Sequence, residues 1–242
     1  YSSLNGASEA GTGNQTLTEK TFGDVTETWN PITGCLHACT YCWARNYARR
    51  LASMDVEPYR THLFKPAFAE WRLKQKLGKG RFIFVSDMGD MWGEWVPKEW
   101  IDKVLEATRS KPHLKFLFLT KNPKRYHEFL GKFTQHMMLG VTMETNRDYK
   151  VTKAPAPRDR YEAMKNLDWK HKAVVIEPIL GFDDEFVEWM RDISPEMIYV
   201  GYDNYENRLP EPEMSKTVWL INELSKISEV RGKAIRKAWY EK

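Results

Sequence analysis

Six times along the chain a short run of β-branched and aromatic residues gives way to a helical pattern, and this alternation constrains the fold more than any other feature. Apolar runs occur at 81–85 (RFIFV), 114–119 (LKFLFL), 137–141 (MMLGV), 173–176 (AVVI) and 197–200 (MIYV), with a weaker one at 25–29. Runs this short, rich in Val, Ile and Phe, read as strands buried on both faces. Helical patterns cover 41–54, 98–108, 123–130, 160–167 and 184–191, with an extra helix at 67–77. Pro97 suits the first turn of the second of these helices, and Asp183 is placed to cap the fifth. The last segment, 215–240, reads as a helix broken near Gly232.

Strand–helix units in series predict an α/β protein with a parallel sheet and right-handed crossovers. Two closures compete, an open doubly wound sheet and a partial (β/α)6 barrel. No Gly-rich phosphate fingerprint follows any strand, which argues against dinucleotide binding. Polar residues follow instead: Ser86-Asp87 and Asp90, Thr120-Lys121, Thr142 with Glu144, Glu177, and Asp203-Asn204. Barrel enzymes assemble their sites at these carboxyl ends. Any one such residue is an ordinary polar loop start, but carboxylates after four of five strands favour a shared cleft.

The chain of 242 residues has only three cysteines, and all fall within eight positions: Cys35, Cys39 and Cys42, spaced C-x3-C-x2-C. Three thiols cannot pair off, and a chain this long buries a core without disulfide staples. The triad sits where a strand passes into a helix, so three thiolates can converge on one point. Three ligands suit a cubane iron–sulfur cluster with one iron left open, where iron–sulfur clusters are otherwise held by four cysteines. A structural zinc could instead take the three cysteines with His37, although His37 is cramped inside the loop. A disulfide would leave one thiol over, and chance rarely groups three structural cysteines so tightly.

C-x3-C-x2-C with an aromatic residue, Tyr41, before the last cysteine resembles the signature of the radical SAM superfamily, in the first strand-to-helix loop of a β/α chain. More narrowly, the stretches 29–35 (WNPITGC), 42–45 (CWAR), 82–90 (FIFVSDMGD), 95–97 (WVP) and 118–123 (FLTKNP) resemble the phage Gp37/Gp68-like (DUF5131) subgroup. The likeness covers roughly residues 25–205. The final strand departs from it, with Gly201-Tyr202-Asp203-Asn204 in place of a Gly-Gly-Glu-Ser-Gly-like turn.

The resemblance implies a partial (β/α)6 barrel of the radical SAM type, in a single domain over 21–242. It implies a 4Fe-4S cluster on Cys35, Cys39 and Cys42, and S-adenosylmethionine chelating the open iron. An electron from the reduced cluster would then cleave the sulfonium bond, and the 5′-deoxyadenosyl radical would abstract hydrogen from a substrate. By the same resemblance Ser86 and Asp87 stand where the methionine amino group binds, Thr142 and Glu144 near the methionine or ribose, and Glu177 near the nucleoside. Tyr41 packs near the adenine, unless it is simply a core aromatic at a helix start. The electron would come from a donor such as flavodoxin or ferredoxin. With no fourth cysteine there is no cysteine-ligated auxiliary cluster, and no free thiol to return a hydrogen atom. A protein donor would have to be a tyrosine, with Tyr202 and Tyr205 best placed.

Composition narrows the rest. Thirty-seven Lys plus Arg against 33 Asp plus Glu give a net charge of only +4, too little to predict nucleic-acid binding. The longest uninterrupted aliphatic or aromatic runs are four residues, such as 116–119, so no membrane span is expected. Residues 1–20 are dominated by Ser, Thr, Gly and Asn and read as a flexible arm. They lack the apolar core of a signal peptide, which points to a cytoplasmic protein. Among substrates, a small molecule or peptide is favoured over nucleic acid. Arg45, Arg49 and Arg50 lie on the helix leaving the cysteine loop and could meet phosphates, whereas 233–237 reads as a solvated basic face. The rival function is a zinc-stabilised β/α module that binds nucleic acid without catalysis.

Overall fold

The computed structural model describes residues 25–78 and 82–242, so the expected arm at 1–20 lies outside the described residues. In chain order the strands are β1 (Glu27–Trp29), β2 (Ile32–Thr33), β3 (Ala67–Phe68), β4 (Phe82–Val85), β5 (Lys115–Thr120), β6 (Met137–Thr142), β7 (Lys172–Ile176), β8 (Met197–Gly201) and β9 (Glu229–Lys233). The helices are α1 (Trp43–Ser53), α2 (Tyr59–His62), α3 (Lys98–Arg109), α4 (Pro157–Lys165), α5 (Glu185–Ile193) and α6 (Met214–Leu224). Two 3-10 segments, Glu70–Lys74 and Pro123–Lys132, complete the regular structure.

Seven strands form one all-parallel sheet in the order β1-β4-β5-β6-β7-β8-β9, while β2 and β3 pair antiparallel beside it. Each new strand is laid on the same edge as the last. A doubly wound sheet reverses direction at a switch point; this one never does. It is the curled sheet of a partial barrel. Right-handed crossovers in one direction put every connecting helix on one face, and α4, α5 and α6 pack successively against each other there.

Side chains alternate across the sheet. Ile83, Val85, Phe116, Phe118, Leu139, Val141, Val174 and Ile176 belong to the main hydrophobic core. The helices answer with stripes at helical spacing, such as Ile101, Val104, Leu105 and Thr108 on α3 and Phe186, Val187, Trp189, Met190 and Ile193 on α5. The opposite face, carrying Thr28, Phe84, Leu119 and Val175, lines a cavity instead.

All six expected strands are present, each within two residues of its expected bounds. Four other expectations are corrected. The segment 123–130 is 3-10 rather than α-helical. The extra helix at 67–77 is instead β3 followed by a short 3-10 turn. Asp183 does not cap α5: its carboxylate pairs with Arg147, and Asp184 takes the cap position without a side-chain bond. The long terminal helix stops at Leu224, and 229–233 forms a seventh strand. The exposed N–H and C=O row of β8 explains that change, because β9 pairs with β8 along its whole length.

Trp92 is fully buried and packs edge-on against Phe118, Tyr126 and Phe129. Truncating it leaves a large void in the α-helical side of the core. Trp92→Ala is expected to cost about 3–5 kcal/mol, measured as a shift in the urea unfolding midpoint at unchanged slope.

Candidate functional site

A cavity of about 650 Å³ runs over the concave face and the carboxyl ends of the strands. That volume lies in the range of small-molecule and cofactor sites. Cys35, Cys39 and Cys42 all line it, together with Asp87, Thr142, Glu177 and Lys233.

The cysteine loop is built by close backbone packing. Gly34, at φ +81°, donates its N–H to Met88 O (2.9 Å), and its own carbonyl accepts from Asp90 N–H (3.2 Å). A Cβ at Gly34 would stand 2.2 Å from Lys65 O, so only glycine fits. Cys35 N–H then donates to Phe64 O (3.2 Å). Ala38, at φ +53°, turns the chain back before Cys39, and Cys42 caps α1, its Sγ accepting from Arg45 N–H (3.4 Å). The segment after β6 closes over the loop: Thr40 N–H donates to Val151 O (2.9 Å), Lys153 N–H donates to His37 O (2.7 Å), and Thr152 Oγ1 lies 3.2 Å from Cys39 Sγ.

Two buried carboxylates tie this loop to the sheet. Asp90, after β4, meets His37 Nε2 (2.9 Å) and accepts from Thr120 Oγ1 (2.8 Å) and from the N–H groups of Lys121 and Trp92 (both 3.0 Å). Burial works to raise its carboxyl, but the bond to His37 and its other donors hold it below the usual range. Glu144, after β6, accepts from Tyr41 and Lys121 through one oxygen, and from Arg160 (2.7 Å) through the other. It is 2% exposed and Arg160 1%. Burial again opposes ionisation, and the Lys121 and Arg160 charges overcome it, holding Glu144 far below its ordinary value.

The expected site residues therefore divide. Asp87 lines the cavity, with one oxygen held by Asn30 Nδ2 (2.6 Å), and burial pushes its carboxyl up. Thr142, Glu177 and Tyr205 also line it, Tyr205 at an exposed position. Ser86 is buried and outside the cavity lining, its hydroxyl without a hydrogen-bond partner among the described residues. Glu144 likewise lies outside that lining, locked in its ion pairs. Tyr41 reaches the cavity but spends its hydroxyl on Glu144 and lies under Lys121, 5.2 Å from the ring centroid. Tyr202 borders the cavity with its hydroxyl turned to Pro212 O (3.0 Å) and Thr217 Oγ1 (2.7 Å).

Other members escaped sequence reasoning. Lys233, expected on a solvated face, ends β9 at the cavity and pairs with Glu177 (3.1 Å). Asn30 orients Asp87 and also accepts from Met88 N–H (2.9 Å). Its position directly after β1 is the signal that marks it. Arg160 had no signal beyond a charge inside an apolar helix pattern.

The donor set fits an iron–sulfur cluster. Three thiols and no fourth line one cavity, and their charges interact with one another. Burial, then the Asp90 carboxylate, push the Cys35 thiol up, and burial does the same at Cys42; a coordinated metal releases such protons. No three His, Cys, Asp or Glu side chains among the described residues are grouped to hold a single metal ion. A cubane asks for something else, since each thiolate takes a different iron. His37 gives Nε2 to Asp90 and packs edge-on against Trp95 at 4.8 Å, and it forms no group with the thiols of the kind that holds a single metal ion.

Comparison with known proteins places the chain. A family described as "Protein of unknown function (DUF5131)" matches residues 21–190, and the chain belongs to that family. No curated protein matches it. Among solved structures it is similar to a spore photoproduct lyase double mutant with bound AdoMet and dinucleoside spore photoproduct, at TM-score 0.53 and 12% identity, covering 88% of this chain and 65% of that one. It is also similar to spore photoproduct lyase complexed with dinucleoside spore photoproduct, at TM-score 0.50 and 10% identity, with the same coverage. The chain spans 55–65% of the length of the lyase structures it matches. At this identity the likeness is one of fold, that of the spore photoproduct lyase structures. No helix among the described residues is long and apolar enough to cross a membrane.

Two outcomes test this geometry. Gly34→Ala forces Lys65 away from the loop and strains a left-handed residue; the variant is expected to unfold at lower urea and to show a Cys35 thiol more reactive to Ellman's reagent than in the parent. Glu144 has a folded pKa below its unfolded one, so its contribution is complete above the unfolded value of about 4.3 and is lost as pH falls toward the folded one. Glu144→Gln is therefore expected to lower stability at pH 7 and to flatten its loss between about pH 5 and pH 3, followed by thermal unfolding across that interval.

Proposed function

We propose that this member of the DUF5131 family is a radical S-adenosylmethionine enzyme, with a 4Fe-4S cluster on Cys35, Cys39 and Cys42 and S-adenosylmethionine beside it in the cavity. One observation carries the reading: the three thiols open into the same cavity as the polar strand ends, at the mouth of a curled parallel sheet. When bound, the reduced cluster and S-adenosylmethionine supply a 5′-deoxyadenosyl radical that takes a hydrogen atom from the substrate.

The chain's own residues bind and orient. Asp87, one oxygen held by Asn30, presents carboxylate charge to the methionine ammonium, a charge-assisted contact. Thr142 and Glu177 line the wall where the nucleoside lies, and Phe84, Leu119 and Val175 give the cavity an apolar floor that excludes water. Ser86 and Glu144 act from behind this wall: Ser86 shapes the turn at φ +60° that delivers Asp87, and Glu144 fixes Tyr41 between the second and third thiols. Where the reaction needs a tyrosine to return a hydrogen atom, the role falls to Tyr205 rather than to Tyr202. A cavity of this volume takes the cofactor with a small molecule or a peptide group. The zinc-stabilised module has less support, because no three His, Cys, Asp or Glu side chains among the described residues are grouped to hold a single metal ion.

Anaerobic reconstitution with iron and sulfide is expected to give brown protein carrying about four of each per chain. After dithionite reduction that protein should release 5′-deoxyadenosine from S-adenosylmethionine, and Cys39→Ala should lose both the colour and the product. A colourless protein with stoichiometric zinc overturns the reading.

A further inference from the structure

α1 leaves the cysteine loop directly, and its outer face is unlike the rest of the surface. Trp43, Tyr47, Arg50 and Met54 recur at helical spacing along one exposed stripe, with Arg49 on its flank. Trp43 and Tyr47 are 41% and 44% exposed, with ring centroids 6.3 Å apart. Ala44 and Ala48 bury the opposite side of the helix against Tyr59 and Met88. The helix contains no Asp or Glu.

Most exposed cations on the other helices are laced to acids, Arg109 on α3 excepted. Lys103 pairs with Glu70, Arg158 with Glu162, Arg191 with Glu188 and Lys216 with Asp184. Neither Arg49 nor Arg50 enters an ion pair among the described residues. A row of unpaired guanidiniums beside exposed Trp, Tyr and Met has the composition of a protein interface centre, where aromatic residues, Met and Arg are enriched.

Position suggests the partner. Taking the proposed cluster as given, its reducing electron must arrive from outside, since the chain holds no second set of cysteines. α1 starts at the residue after Cys42, and Trp43 both lines the cavity and reaches the surface. The geometry points to the α1 face as the docking surface for an acidic, low-potential one-electron carrier protein. One electron leaves the carrier and one enters the cluster, and no bond is made or broken at the interface. The guanidiniums steer the acidic carrier and set its register, while Trp43 and Tyr47 give the contact its desolvated centre. The two rings lean on each other at 40° rather than offering separate stacking platforms, which favours a protein over a single-stranded nucleic acid.

The test uses reconstituted holoenzyme and the double variant Arg49→Glu/Arg50→Glu, with flavodoxin as the probe. Wild-type protein is expected to bind flavodoxin in calorimetric titration, more weakly as salt rises. The variant should bind at least about tenfold more weakly at low salt, a change of about 1.4 kcal/mol, and lose most of the salt dependence. Release of 5′-deoxyadenosine driven by dithionite, which needs no docking, should be the same in both proteins. Normal dithionite turnover with equal flavodoxin binding, or with none by the wild type, overturns the docking surface alone. So does a variant that keeps flavodoxin but loses a single-stranded oligonucleotide. Absence of dithionite turnover in the wild type overturns the enzymatic reading beneath it.

Discussion

Two buried carboxylates hold the cysteine loop against the sheet. Asp90 takes His37, which lies between the first and second cysteines, and Glu144 takes Tyr41, between the second and third. The loop is thus pinned by the residues interleaved with its thiols, which leaves all three thiols on the cavity. Burying charge in this way is expensive, and it is tolerated only because every oxygen is matched by cationic or N–H and O–H donors. Lys121 serves both anchors, its backbone N–H on Asp90 and its Nζ on Glu144. A single residue at the end of β5 therefore ties the strand ends on either side of it into one polar floor.

The curl of the sheet supplies the rest. Because each strand is added on the same edge, the helices crowd one face and the other is left to hollow out. The concave face steps diagonally across the register, from Thr28 and Phe84 on the first strands to Gly201 and Lys233 on the last. Short parallel strands with helices on only one side would ordinarily expose apolar surface. Here the cysteine loop and the turn after β4 line it, and the segment 151–153 braces that loop through Thr40 and His37.

Much of this was legible in the sequence because it rests on local pattern. The strands declare themselves as runs such as FIFV and LKFLFL, and the polar residues after them mark the cavity rim. The triad of cysteines is unmistakable by spacing alone. What escaped depends on long-range contact. β9 contains Val230, Arg231, Gly232 and Lys233, a sequence with no apolar run, and it becomes a strand only because the edge of β8 is there to pair with it. Ser86 and Glu144 stand at the strand ends where binding residues were expected, yet chain geometry faces one into the turn and salt bridges claim the other. Arg160 opens the helical pattern at 160–167 with nothing to single it out, and only the fold reveals that its guanidinium meets a buried glutamate.

The wall of the cavity at Glu177 and Lys233 depends on a missing side chain. Gly201 sits in register with Lys233, beside Glu177, and a Cβ there would come within 3.0 Å of Lys233 O and 3.3 Å of Glu177 Cδ. The salt bridge between those residues therefore spans a notch whose depth is set at one position. A larger residue at 201 would act as a doorstop, pushing on both partners of that salt bridge where they line the cavity.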